Sequence, residues 1–271
     1  MLRIKRTIII CFFSLGISLC FIGCHKNAVT GKRSLNLVNE DELMKMSSEE
    51  YNKFLAQHPP LSENDERVQL VRSCGERIQK AVEGFYKKKG LSSELAHYKW
   101  EFNVVDETTV NAWCMPGGKV VVYSGLLPVT QDEKSLAVVM GHEIAHAVAR
   151  HGNQRMSSAM LAQFGGLILS VAVSQKPQVV QDVFLQSFGI TTGMGLLSYS
   201  RKHETEADKM GLIFAASAGY DPEAAIAFWE RMAAGGGQKP PEILSTHPSD
   251  ERRIKDLKAF MPEAKKYYKP Q

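Results

Sequence analysis

The chain has 271 residues, 44% of them hydrophobic and 23% charged, and a formal net charge of +4 at pH 7. That length holds one domain with a sizeable core, or two small ones. No internal repeat stands out, and with neither a basic domain nor a binding motif, nucleic acid is not an indicated partner.

At the N-terminus Arg3, Lys5 and Arg6 precede an apolar run from Ile8 to Ile22, short for a membrane span and suited to a signal peptide. An uncleaved anchor helix is the alternative reading. The run ends Phe21-Ile22-Gly23-Cys24, which resembles a bacterial lipobox although Phe stands where Leu is usual. The division expected is a lipoprotein signal peptide over 1–23, a lipidated Cys24 with a polar tether over 24–34, and one domain over 35–271. Cleavage removes three basic residues and no acidic ones, taking the formal charge from +4 to +1. Of five cysteines, Cys11 and Cys20 leave with the signal and Cys24 carries lipid. Cys74 and Cys114 remain, either bridged or as two buried thiols.

Helices are expected over 40–57, 63–88, 131–151, 155–174, 178–190, 201–218, 222–233 and 249–260. Strands are few. Tyr98 to Val105 reads as one, and Lys119 to Tyr123 as another, entered through the turn Pro116-Gly117-Gly118. The preceding Asn111, Ala112 and Trp113 then lie on a strand that either pairs with an extended substrate backbone or is a plain structural hairpin arm. Residues 159–174 are apolar enough to raise a membrane question, but 16 residues including Gln163 fit a buried helix or part of a lid better. Residues 233–241, rich in Gly and Pro, read as a flexible loop.

The most informative string is His142-Glu143-Ile144-Ala145-His146, inside a stretch from Ser135 to Ala149 that is apolar on nearly every face. Helical residues four apart are about 40° apart in rotation and about 6 Å along the axis, so two imidazoles can meet one ion. Glu143 is turned by about 100° and is free to take a proton from a water at the ion's open position. Burying two His and a Glu without partners would cost several kcal/mol, roughly, so they are coordinated or paired. This is the core of a zinc-dependent peptidase.

A catalytic zinc needs a third protein ligand. Glu204 is the best candidate, on a second helix running through Asp208 into Gly211 and Phe214. Asp208, four residues on, shares its face and is placed to hold one His ligand from behind; Glu206, about 200° away, should look outward. His151, about 140° around from His146 on a continuous helix, should not reach the same ion. His247, before Pro248, reads from its neighbours as a loop residue leading into the last helix.

The segments His142–His146, Glu204–Asp208, Asn111–Gly118 and Thr246-His247-Pro248 together resemble the zinc peptidase family of the CAAX prenyl proteases, HtpX and the mitochondrial Oma protease, above all its soluble periplasmic bacterial members. The resemblance spans roughly residues 27–260. It implies an α+β, mostly α, gluzincin-type fold with a small β-sheet over the HExxH helix. It implies one Zn2+ per chain on His142, His146 and Glu204, with Glu143 as base and Asp208 behind a ligand. The corresponding histidine lies near the metal in similar proteins, so His247 either stabilises the oxyanion or occupies the open zinc position. The function implied is hydrolysis of unfolded or misassembled cell-envelope proteins by a lipoprotein of the bacterial envelope, at the outer membrane facing the periplasm and held through Cys24. A zinc-containing chaperone or assembly factor that rarely cleaves is the alternative, and a purely structural zinc site a third reading.

Overall fold

The computed structural model describes residues 24–175, 177–188, 199–234, 243, 247 and 251–270. The expected signal peptide, the loop over 235–241, and Thr246 and Pro248 lie outside the described residues.

Two long helices, each opened by a polar cap, follow a short N-terminal hairpin. Asn39 Oδ1 accepts from the Asp41 and Glu42 backbone amides to start α1, Glu40–Gln57. Asp65 does the same for α2, Glu66–Lys88, whose last turn carries Lys87 and Lys88 against the negative end of its dipole. A three-stranded sheet follows: β3, Glu101–Val105; β4, Ala112–Met115; and β5, Lys119–Tyr123. Its order is β3-β5-β4, with β5 parallel to β3 and antiparallel to β4. The β4–β5 turn needs glycine at both Gly117 and Gly118, which have φ of 88° and 83°.

The sheet is covered on both faces, as its alternation requires. Val120, Val122, Ala112 and Cys114 face a core shared with α2 and with α3, Glu133–Val148. The same core takes in α6, Arg201–Ser217; α7, Ala224–Ala234; and α8, Glu251–Lys265. Val121, Trp113 and Met115 face the other way, onto Leu43, Tyr51 and Phe54 of α1. Met156 and Met160 of α4, His151–Gln175, and Phe184 and Phe188 of α5, Pro177–Phe188, complete that second core. The expected mostly helical architecture with a small sheet is the one observed. Among the described residues no helix is long and apolar enough to cross a membrane. Cys74 and Cys114 are free, buried thiols.

Residues 24–34, expected as a tether, instead fold back as a hairpin of β1, Cys24–Lys26, and β2, Arg33–Leu35. Between the strands Asn27 Oδ1 accepts from the Val29 and Thr30 amides, and Gly31 takes φ 70°. Local side-chain to backbone bonds of this kind make a turn from a polar sequence that otherwise reads as linker.

Candidate active site

Helix α3 is buried from Ser135 to Val148. Its ends are satisfied by side chains: Asp132 accepts from the Ser135 amide, while the hydroxyls of Tyr98 and Tyr86 donate to the carbonyls of Ala147 and Val148. Helix α6 crosses it at two glycines. A Cβ on Gly141 would lie 2.9 Å from the Gly211 carbonyl oxygen, and one on Gly211 would lie 2.8 Å from the His142 nitrogen. This backbone-to-backbone approach brings Glu204 within reach of both histidines of α3.

His142 Nε2 is 3.0 Å from His146 Nε2 and 3.1 Å from His247 Nδ1. Both Glu204 oxygens are 3.1 Å from His247 Nδ1; Oε2 is 3.4 Å from His142 Nε2, and Oε1 is 3.4 Å from His146 Nε2. One donor atom from each of the four residues falls in a group within 4.8 Å, all buried. Four ligands at about 2.0–2.1 Å from a tetrahedral ion would be about 3.3 Å apart, so this donor set fits a zinc-sized cation. Imidazole nitrogens facing one another at such distances cannot all be protonated, which suits them to share a cation instead.

The electrostatics agree. Burial drives the His146 imidazole well below its ordinary pKa, so it is neutral. Burial alone would raise Glu204, but His247, His142 and His146 outweigh it and hold the carboxyl well below its usual range. For His142, burial is outweighed by the Asp208 and Glu204 carboxylates, which raise it to about 9. Glu143 differs: burial pushes its carboxyl up, one oxygen has no hydrogen-bond partner, and that oxygen lies 3.6 Å from His247 Nε2. An upward-shifted carboxylate beside the donor set suits proton transfer near neutral pH.

Asp208 sits where the helical spacing predicts, its Oδ1 2.9 Å from His142 Nδ1. What the spacing did not reveal is Arg253. It donates to both Asp208 oxygens at 2.9 and 2.6 Å and to the His247 carbonyl at 3.2 Å, and its guanidinium lies 3.5 Å from the Trp229 ring centroid. Burial alone would raise Asp208, but Arg253 and His142 hold its carboxyl below the usual range, and Arg253 ties α8 to α6. Its sequence signal is faint: a basic residue six after His247, early in a helix. Tyr199 was also missed; it stacks on His146 at 3.9 Å.

Of two rotational expectations, the one for His151 holds by a different route and the one for Glu206 needs correction. Helix α3 stops at Val148 and Arg150 takes φ 59°, so His151 opens a new helix, and its Nδ1 lies 3.0 Å from His146 Nδ1. It remains outside the four-donor group. Glu206 does face away from Glu204, but that side of α6 is covered by the N-terminal hairpin, and Glu206 is buried. The side chains of Asn111, Ala112 and Trp113 are buried too, Trp113 in the second core, while β4 itself is the last strand of its sheet.

Residues 73–261 match Peptidase family M48. The chain belongs to that family. Its relatives include the mitochondrial metalloendopeptidase OMA1 of Schizosaccharomyces pombe, 33% identical over 238 residues, which cover 87% of this chain and 66% of the relative. The human mitochondrial metalloendopeptidase OMA1 is 32% identical over 248 residues, covering 88% and 46%. The beta-barrel assembly-enhancing protease of Escherichia coli is 33% identical over 165 residues, covering 59% and 34%. The chain thus spans from about a third to two thirds of the relatives it matches. In this M48 chain the four-donor group is where the residues fit a metal.

The same comparisons correct the compartment. The yeast and human relatives, matched over 87% and 88% of the chain, are mitochondrial enzymes, which overturns placement as a bacterial outer-membrane lipoprotein facing the periplasm. That placement rested on the signal-like N-terminus, the residues flanking Cys24 and the resemblance to periplasmic members, none of which distinguishes one membrane from another by packing or chemistry.

Proposed function

We propose that this M48 chain is a zinc-dependent endopeptidase that hydrolyses peptide bonds in unfolded or misassembled proteins, with a lipid on Cys24 as its link to a membrane. The observation that carries the reaction is the convergence of His142, His146 and Glu204 beside the unpartnered oxygen of Glu143. When bound, one zinc ion per chain supplies Lewis acidity, polarising the scissile carbonyl and making water a stronger acid. Glu143 takes the proton of the attacking water and delivers it to the leaving amine. His142, His146 and Glu204 are the ligands, and Asp208 fixes the His142 tautomer and ring plane.

β4 is the last strand of its sheet, and the segment Asn111, Ala112 and Trp113 at its start is where an extended substrate would pair, affinity with little side-chain preference. At the head of this strand the Val110 carbonyl accepts from the amide of Ile243, four residues before His247. His247, within the donor group, closes the site in this conformation and must swing aside for turnover. Misassembled clients are supported by the name of the Escherichia coli relative, an assembly-enhancing protease. That name equally favours the second reading, an assembly factor that binds clients and rarely cuts them.

Casein cleavage by residues 25–271 with zinc separates the two. A peptidase loses cleavage in Glu143→Gln and with a chelator; an assembly factor shows none in wild type and keeps client binding in Glu143→Gln.

A further inference from the structure

His146 has a partner behind it that differs from the one behind His142. The His142 Nδ1 faces a carboxylate, Asp208. The His146 Nδ1 faces another imidazole, His151 Nδ1, at 3.0 Å, and His151 is fully buried. With Nε2 of His146 turned to the donor group, its proton sits on Nδ1 and is donated to His151 Nδ1. The proton of His151 is then on its Nε2, which has no partner within hydrogen-bond distance and lies 3.7 Å from Glu206 Oε2. The His151 ring is stacked on His203, centroids 4.5 Å apart and planes within 21°, which fixes its plane and leaves its position along the stack to be set.

Glu206 is in turn held by the N-terminal hairpin. Thr30 Oγ1 donates to one of its oxygens, and Lys32 Nζ donates to the other at 3.1 Å. One turn further along α6, Asn27 Nδ2 donates to Met210 Sδ at 3.3 Å, so the hairpin grips residues four apart on one helix face. We propose that the N-terminal hairpin is a working part of the metal centre: through Glu206 and His151 it holds the His146 ring in the orientation that its Nε2 needs as a ligand. Thr30, Lys32, Glu206 and His151 are positioning residues, none touching the metal. The inference rests on the zinc reading above.

Partners of this kind behind a ligand are worth about 10–100-fold in metal affinity. The measurement is zinc affinity of the full chain by competition with a chromophoric chelator at neutral pH, alongside Tm. Wild type binding one zinc, lost in His146→Ala, sets the reference. His151→Phe keeps the stacked ring and removes its nitrogens, and Glu206→Leu removes the carboxylate; each is expected to weaken zinc by about 10–100-fold. The double variant Thr30→Val with Lys32→Met should weaken it in the same direction, and adding Glu206→Leu to that pair should cause little further loss, since all act through one carboxylate. A core control remote from the site, Val82→Ala, should lower Tm without moving zinc affinity. Affinities within twofold of wild type in His151→Phe and Glu206→Leu would overturn the proposal and leave the zinc reading intact; so would a hairpin variant that binds as wild type while Glu206→Leu does not. A wild-type chain that binds no zinc would overturn both.

Discussion

Replacing Arg253 with Leu should destabilise the protein more than any other single surface-to-core contact described above. The guanidinium makes two charge-assisted bonds to Asp208 and a third to the His247 carbonyl, with about 5% of its side chain exposed and about 9% of that of Asp208. Losing it leaves a buried carboxylate whose remaining contact is the His142 imidazole at 2.9 Å. Breaking one partner out of a buried pair costs about 3–5 kcal/mol. For a domain of this size each kcal/mol moves Tm by about 2–4 °C, giving a fall of about 6–20 °C. Because Asp208, which fixes the His142 tautomer, loses the guanidinium that holds it in place, zinc affinity should fall as well. Thermal unfolding with and without chelator measures both. Removing both charges, Arg253→Leu with Asp208→Leu, should be less damaging than the sum of the single variants by about 1–3 kcal/mol, since no lone charge is then stranded. A Tm for Arg253→Leu within about 2 °C of wild type, or strict additivity in the double variant, would refute the reasoning.

His247→Ala should raise turnover of casein several-fold by clearing the donor group; a fall would show that the imidazole aids the reaction. Gly211→Ala should lower Tm, because the new Cβ would sit 2.8 Å from the His142 nitrogen, and the overpacking cost of about 1–3 kcal/mol exceeds the roughly 1 kcal/mol of helix propensity gained; an unchanged Tm would mean the helices can part freely. The Glu206 carboxyl, raised by burial but held down overall to about 2 by His151, Thr30 and Lys32, is lower in the folded chain than its ordinary 4.5. Its contribution is therefore full above about pH 4.5 and lost as pH falls towards 2, and unfolding free energy in urea should drop over that window by about 1–3 kcal/mol more in wild type than in Glu206→Gln. Parallel curves would remove Glu206 from the acid response.

The parts of the site written in local spacing were legible in the sequence. His142 and His146 four apart, and Glu204 and Asp208 four apart, follow from helical rotation, and α1 has the predicted limits because Asn39 and the acids after it mark its start. Arg253 was invisible because it meets Asp208 across 45 residues, with no periodicity linking them. His151 stays out of the donor group as expected, but its contact behind His146 went unseen since rotation was counted through Arg150, whose positive φ breaks the helix. Glu206 shows that facing away from a site differs from facing water: the hairpin that buries it comes from a polar stretch whose turn chemistry, Asn27 with Gly31, was passed over.

The four donors come from α3, α6 and the segment before α8, with His142 and His247 separated by 105 residues. Nothing resembling this cluster can exist until α3 and α6 have packed at Gly141 and Gly211. A copy in which α3 and α6 have not yet packed therefore lacks the metal-binding cluster, and the proposed chemistry can begin only after that packing step.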